Sequence, residues 1–574
     1  MTAKAIKQFF PNPLDPAFNT KIAQKFHKFE IANVPRTMKA ICFPKKYQLQ
    51  APQKFVEAFV SPATQYKNLL IFHRIGAGKS CTAIRVGEKW KHKRKIVAVL
   101  PAALKENFRN ELRSKCAGNA YLTDVERLKL SELQSGTPEY RQIIAKSDKR
   151  IDLYYQIFSY NKFVELYEQG EIKLHNSVLI VDEVQNMVSE GGRYYDVLYR
   201  AIHDAPKDLR AILLSATPMF DKPVEIALTL NLLRLPKLLP IGLEFDQEFI
   251  EHITHRNGVV ERRAKNMDKF MNMIRGYVSY FRGAPPVAFP RMQIKVVRCP
   301  MGNFQYRSYR TVSSVEESNM RPIDSEIEEL PNNFFIGTRI ISNIAFPNRR
   351  IGEHGWDSLD EYTLKHLDDY SAKFTNMLRR IKRARGPVFI YSNFKEYGGI
   401  KSFVKILELS GYKDYTQDGV GRKRFAVWTG DVKGQVREDI RATFNRPENA
   451  DGSKIRIILG SPSVKEGVSF MNVRQVHIME PYWNRSRIEQ VIGRASRFCS
   501  HKNLDEESRE VDVYVYVVTH PKIQKTVDEY ILGLSMEKDK LIKEFERALK
   551  AAAVDCRLNK LMNQFEEIPI KCAP

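Results

Sequence analysis

Short runs of Val, Ile, Leu and Phe recur along the chain, with longer polar and amphipathic stretches between them. Within residues 44–234 they read LLIF (69–72), IVAVL (96–100), YQIF (155–158), VLIV (178–181) and ILL (212–214). A second series, within 386–521, reads VFIY (388–391), FAVW (425–428), IRIIL (455–459), QVHIM (475–479) and VDVYVYVV (511–518). Near-continuous apolar runs predict parallel strands covered on both faces. Each series therefore predicts an α/β unit, a parallel sheet flanked by helices. Residues 1–43 form an N-terminal arm. The segment 235–385 differs: it is punctuated by Pro236, Pro240, Pro285, Pro286 and Pro290, and reads as a basic, partly helical linker with one strand, MQIKVV, at 292–297. Residues 307–347 carry few signals and leave room for a flexible loop. In the tail, 522–574, Ile531, Leu532, Leu534, Leu541, Ile542, Phe545 and Leu549 recur at helical spacing.

Composition narrows the class. Of 574 residues, 43% are hydrophobic and 28% charged, which excludes a mostly disordered chain. No apolar run reaches the ~18–20 residues that span a bilayer, and the N-terminal residues lack a secretory apolar core, so the expectation is a protein with no membrane partner. Lys and Arg number 92 against 67 Asp and Glu, a net +25. An excess of that size points to a polyanionic partner, nucleic acid being the commonest. The seven cysteines are scattered without a CxxC pair, which speaks against structural zinc and predicts reduced thiols.

The first candidate chemistry follows the strand at 69–72: LLIFHRIGAGKS. A strand, a glycine turn and a helix-compatible segment in that order aim backbone N–H groups and a helix N-terminus at phosphate oxygens. Gly76, Ala77 and Gly78 form the turn, Lys79 supplies charge to the β- and γ-phosphates, and the Ser80 hydroxyl can ligate Mg²⁺. His73 stands where such loops carry their first glycine. Asp182 and Glu183 follow VLIV, at the carboxyl end of a strand, the ligand edge of an open α/β sheet. There Asp182 can hold Mg²⁺ and Glu183 can polarise water; an acidic pair in that place also serves as a helix cap. Ser215, Ala216 and Thr217 end another strand, either coupling the nucleotide site to a neighbouring domain or making a plain Ser/Thr turn. In the second series, Gln490, Arg494 and Arg497 fall at helical spacing and predict one shared face, fit for arginine fingers or for surface ion pairs. The loop GSPSVKEGVSF (460–470), with Ser461, Ser463 and Gly467, offers N–H groups and hydroxyls to a nucleic-acid backbone or to ATP ribose, or is ordinary turn chemistry.

Taken in order, GAGKS, DEVQ, SAT, SPSVKEG and QVIGRASR resemble superfamily 2 helicases and translocases over residues 44–500. Further segments, HRIGAGKSCTAI, ATPMFDKPVEIALTLNLLR, GYVSYFRG, QVIGRASRFCSHK and AAAVDCRLNK, resemble the ATPases of large cytoplasmic DNA viruses, the poxvirus nucleoside triphosphatase I and early transcription factor ATPase group, which is similar in turn to Swi2/Snf2-type translocases. The resemblance implies an α/β fold of two tandem RecA-like domains (44–234 and 386–521), ATP and Mg²⁺ as cofactors, and double-stranded DNA as partner, with a viral RNA polymerase or transcription factor subunit as a further one. It implies early viral transcription, in the virion and the host cytoplasm. By the same resemblance Gln53 reads adenine, with Gln50 its rival. Lys105 and Asn107, Ser159 and Asn161, Ser392 and Asn393, and Thr429 and Gly430 occupy strand-end positions that meet nucleic acid in such enzymes, although polar residues there also cap helices. The sequence departs from the usual DExH form, with Gln185 in the last position.

The leading expectation is thus an ATP-driven DNA translocase or helicase. The alternatives are a promoter-binding transcription factor subunit that uses ATP as a conformational switch, and an RNA helicase.

Overall fold

The computed structural model describes residues 10–35, 37–134, 136–255, 260–319, 334–462 and 468–574. The chain divides into two compact units, residues 1–286 with 540–574, and residues 287–539. The parting point lies at Pro286, inside the segment read as a linker.

In the first unit the strands are β1 (Leu69–His73), β2 (Lys95–Leu100), β3 (Tyr155–Ser159), β4 (Ser177–Val181), β5 (Arg210–Ser215), β6 (Ile250–Thr254), β7 (Val260–Ala264) and β8 (Val278–Phe281). Six of them form one parallel sheet in the order β3-β2-β4-β5-β1-β8. β6 and β7 pair separately as an antiparallel hairpin. The apolar runs are continuous because both faces of the sheet are core. Leu70, Phe72, Val97 and Val99 enter one cluster, and Leu69, Ile71, Ile96 and Ala98 enter the other. Each fully buried Val, Leu, Ile or Phe among them contributes roughly 1.5–3 kcal/mol. β8, beyond the expected end of the domain, pairs with β1, the strand that feeds the phosphate loop.

The second unit holds β9 (Arg291–Pro300), β10 (Val388–Tyr391), β11 (Lys413–Asp414), β12 (Arg424–Trp428), β13 (Ile457–Gly460), β14 (Gln475–Ile478) and β15 (Glu510–Thr519). They make a second parallel sheet in the order β11-β12-β13-β10-β14-β15-β9. Helices Asn303–Asn319 and Ile336–Asn343 occupy the stretch expected to be a loop; residues 320–333 lie outside the described residues. The helical tail is one helix, Val527–Ala552, whose residues to Asp539 belong to the second unit and whose remainder belongs to the first. None of the described helices is long and apolar enough to cross a membrane.

The cysteines depart from expectation. Cys81 and Cys116 form a disulfide, as do Cys556 and Cys572, each pair with Cα atoms 5.8 Å apart. Spacing conceals both pairs, since the partners are 35 and 16 residues apart and only folding brings them together. Cys299 is a buried free thiol.

Candidate active site

The phosphate loop leaves β1 at His73 and enters the helix Lys79–Trp90. Gly76 and Gly78 take positive φ, 83° and 75°, conformations that glycine adopts without steric cost. A Cβ on Gly78 would also lie 2.5 Å from the Gln53 Nε2 atom. Ala77 is buried at the centre of the turn. Lys79 and Ser80 open the helix, so a charge and a hydroxyl stand beside its N-terminal N–H groups.

Asp182 and Glu183 follow β4 directly. Lys79 Nζ donates to Glu183 Oε1 at 2.6 Å and lies 3.4 Å from Asp182 Oδ1. Burial raises the Asp182 carboxyl above its ordinary value, and the Lys79 ammonium acts against that shift. Lys79 loses by burial and gains from Glu183 and Asp182, ending raised. The three side chains are therefore a compact site of two acids and one cation. Glu183 takes a left-handed conformation, φ 49°, and its N–H donates to Asp182 Oδ1 at 2.9 Å.

From Glu183 a hydrogen-bonded chain runs across the sheet. Gln185 Nε2 donates to Glu183 Oε2 at 2.7 Å, Ser215 Oγ donates to Gln185 Oε1 at 2.7 Å, and Thr217 N–H donates to Ser215 Oγ at 3.0 Å. A glutamine is apt here because its amide offers a donor to the carboxylate and an acceptor to the hydroxyl. The structure thus brings together Lys79, Asp182, Glu183, Ser215 and Thr217, and adds Gln185 as the link; Ala216 lies between the two hydroxyl residues. Tyr160, between the strand-end residues Ser159 and Asn161, takes a role that sequence reasoning missed: its hydroxyl donates to the carbonyls of Asp182 (2.6 Å) and Glu183 (2.9 Å) from the first position of a helix.

Gln53 is buried, and its amide serves local structure. Oε1 accepts from Gln50 N–H at 2.9 Å in a capping box, and Nε2 donates to Gly78 O at 3.4 Å. The expected adenine reader and its rival are thus bonded to each other.

Several strand-end residues are occupied within the fold. Ser159 caps the helix Tyr160–Glu168, accepting from Lys162 N–H at 3.3 Å. Asn161 accepts from the Tyr194 hydroxyl. Asn107 is exposed and Lys105 half-buried on the helix Lys105–Arg113. In the second unit Ser392, expected to meet nucleic acid, is fully buried on the Glu480 carboxylate, at 3.0 and 3.1 Å. The N–H of Asn393 donates to the same carboxylate. Thr429 and Ser461 are buried, and Gly430 is exposed. Ser463 and Gly467 lie outside the described residues.

The helix carrying Gln490 and Arg494 spans Arg485–Ala495 and ends at Ser496, with φ −110° and ψ 85°. Arg497 therefore lies past the helix, and the shared face expected for all three residues stops at Arg494. The two arginines still converge on one segment. Arg494 Nη1 points to Val468 O at 3.5 Å and Arg497 Nη1 donates to Ser469 Oγ. Burial lowers the Arg497 pKa from its ordinary value.

A parallel sheet that ends in a glycine-lysine-serine loop and an acidic pair, followed by a second parallel sheet with an arginine-bearing helix, defines a helicase-type ATP hydrolase with two RecA-like domains. The type III restriction enzyme res subunit family matches residues 42–220, and the helicase conserved C-terminal domain matches residues 372–499. A protein of Acanthamoeba polyphaga mimivirus, named as an ATP-dependent RNA helicase, is 49% identical over 566 residues, covering 98% of this chain and 99% of its own. A helicase of Invertebrate iridescent virus 3 is 28% identical over 96% of this chain and 57% of its own length. A termination factor NPH-I homolog of African swine fever virus (isolate Warthog/Namibia/Wart80/1980) is 26% identical over 86% of this chain and 77% of its own. The chain belongs to the superfamily 2 helicases of large DNA viruses.

Proposed function

We propose that this chain uses ATP hydrolysis to move along double-stranded DNA during early viral transcription, working in the virion and the host cytoplasm beside a viral RNA polymerase or transcription factor subunit. The contact of Lys79 with both Asp182 and Glu183 carries the assignment of the hydrolytic site. In the proposed reaction Lys79 leaves the acids for the ATP phosphates. Glu183 orients a water and accepts its proton as the new O–P bond forms at the γ-phosphorus. The bond to the β–γ bridging oxygen breaks and leaves ADP. Gln185 fixes the other oxygen of Glu183, so a change at the acid reaches Ser215 and Thr217.

Ser80 Oγ and the Asp182 carboxylate are hard oxygen donors beside the phosphate loop, and this donor chemistry fits Mg²⁺. When bound there the ion would neutralise phosphate charge. Arg494 and Arg497 are the cationic side chains proposed to stabilise the transferring phosphoryl group, and Gln490 is proposed to act with them. Lys105 and Asn107 are the proposed nucleic-acid contacts of the first unit, and Asn393 and Gly430 those of the second.

The segments GYVSYFRG and AAAVDCRLNK support the nucleoside triphosphatase I reading over a generic helicase, and both pack in the first unit: Val278 and Tyr280 in one core cluster with Cys556, Val554 and Leu558 in the other. The net charge of +25 supports a polyanionic track. The name of the mimivirus relative favours RNA instead. ATPase rates with matched double-stranded DNA, single-stranded DNA and RNA at one fixed salt concentration decide between them. The translocase reading expects the greatest stimulation by double-stranded DNA; stimulation by RNA alone would overturn it in favour of an RNA helicase.

A further inference from the structure

His73 occupies the place of a glycine in the phosphate loop, and its ring is completely buried. Its Nε2 lies 3.0 Å from Ser279 Oγ, on the neighbouring strand β8. Ser279 Oγ in turn donates to Asp555 Oδ2 at 2.7 Å, and Asp555 Oδ1 accepts from Tyr280 N–H at 2.9 Å. The direction of this chain follows from its end. A carboxylate only accepts hydrogen bonds. The single hydroxyl proton of Ser279 is therefore committed to Asp555, and Ser279 accepts from His73. The ring must then carry its proton on Nε2. The opposite nitrogen, Nδ1, is buried and has no hydrogen-bond partner among the described residues.

We propose that Ser279 and Asp555 are positioning residues for the phosphate loop, fixing His73 as the Nε2–H tautomer so that Nδ1 remains a lone-pair acceptor. The proposal rests on the reading of this loop as the ATP site. Burial and the nearby Lys79 charge hold His73 neutral, with its pKa lowered to about 3. A charged ring would repel the Lys79 ammonium and oppose its movement to phosphate. The same C-terminal segment braces the loop at other points. Glu566 accepts from Arg74 at 3.0 Å and from the Tyr280 hydroxyl at 2.6 Å. Gly283, at φ 97°, lies so close to Ala77 that a Cβ there would come within 3.2 Å of the alanine Cβ. Residues 555–566, remote in sequence, are thereby part of the phosphate loop's support.

Selective ¹⁵N-histidine labelling of the full chain tests this, with the His73→Gln variant assigning the resonance. The wild type is expected to show Nε2 protonated and Nδ1 bare at neutral pH. In Asp555→Asn the side-chain amide can donate to Ser279, which then donates to His73, so the proton is expected on Nδ1. The kcat for ATP should fall about tenfold or more, by analogy with the loss of outer partners of metal-bound histidines. Ser279→Ala deletes one oxygen and should lower kcat similarly. Asn563→Ala, which removes bonds within the same segment to Cys556, should leave the tautomer unchanged. A wild-type ring protonated on Nδ1 overturns the proposal, as does an Nε2–H signal that survives in Asp555→Asn. Folded Ser279→Ala with wild-type kcat does the same. If the wild type hydrolyses no ATP, the active-site reading fails separately, and the tautomer measurement still judges the relay.

Discussion

Lys79 is held by two carboxylates, one of them 5% exposed and the other half-buried. Removing the ammonium leaves Asp182 and Glu183 facing each other without a counter-charge, and leaves the phosphates of ATP without theirs. Lys79→Ala is therefore expected to abolish ATP hydrolysis while nucleotide-free DNA binding persists, measured by phosphate release and by fluorescence anisotropy. Glu183→Gln keeps the shape but loses the proton acceptor. It should bind ATP and fail to turn it over, and a trapping assay with labelled nucleotide should find ATP, not ADP, on the protein. His477 illustrates a different residue-scale effect. It is fully buried between the Tyr516 hydroxyl (2.7 Å) and Gln475 Oε1 (3.1 Å), and burial lowers its pKa to about 3. Below the unfolded value of about 6.5 the unfolded chain takes up a proton that the folded chain refuses. Its contribution to stability is present above that value and is lost progressively as the pH falls toward 3. Denaturant melts at pH 7.5 and 5.5 should show lower stability at the acid pH, with a smaller difference in His477→Gln.

At the scale of elements, the helix Arg485–Ala495 shows how a cap changes a functional reading. Helical spacing places Arg494 and Arg497 on one face, but the chain leaves the helix between them. Arg497 depends on its planar fork, which meets Ser469, and not on a helical register. Arg497→Lys keeps the charge and loses that fork. The kcat is expected to fall by about 10³, the lower range for an arginine finger, with little change in nucleotide affinity. Steady-state kinetics and nucleotide titration together check both halves. Strand β8 belongs to the same scale. It carries Ser279 against β1 and brings a segment read as linker into register with the phosphate loop.

At the scale of the whole molecule, the first unit is assembled from both ends of the chain. Val554 and Leu558 lie in one of its core clusters, and Ala553 and Cys556 in the other. Val554 N–H donates to Val278 O at 2.8 Å, which ties the tail to the edge strand. A chain ending at Ala552 would leave both clusters open, expose β8 and lose the Cys556–Cys572 disulfide. It is expected to lose a cooperative thermal transition, together with ATP binding, in calorimetry and nucleotide titration. An isolated 1–234 fragment would lack β8 as well, so weak ATP binding by it would reflect an incomplete fold as much as missing arginines.

The order of the motifs, the parallel character of both sheets, the placement of Lys79 in a phosphate loop and that of Asp182 and Glu183 at a strand end were legible from the chain alone. These follow from local rules: strands covered on both faces are apolar throughout, and phosphate loops need glycine, lysine and a hydroxyl within a few residues. The role of Gln185 was open in sequence, because a glutamine there can take either of two orientations until Ser215 and Glu183 fix its amide. Tyr160, Ser279 and Asp555 fall in segments that carry the family resemblance, but neither they nor Glu480 gave a local sign of these roles. Their partners are remote in sequence, and a hydroxyl or carboxylate becomes an orienting group only when folding sets it within about 3 Å of a second polar atom and removes water from both. The disulfides and the membership of residues 540–574 in the first unit have the same cause. Periodicity reports which face of an element is buried, whereas the tertiary structure alone decides what it is buried against.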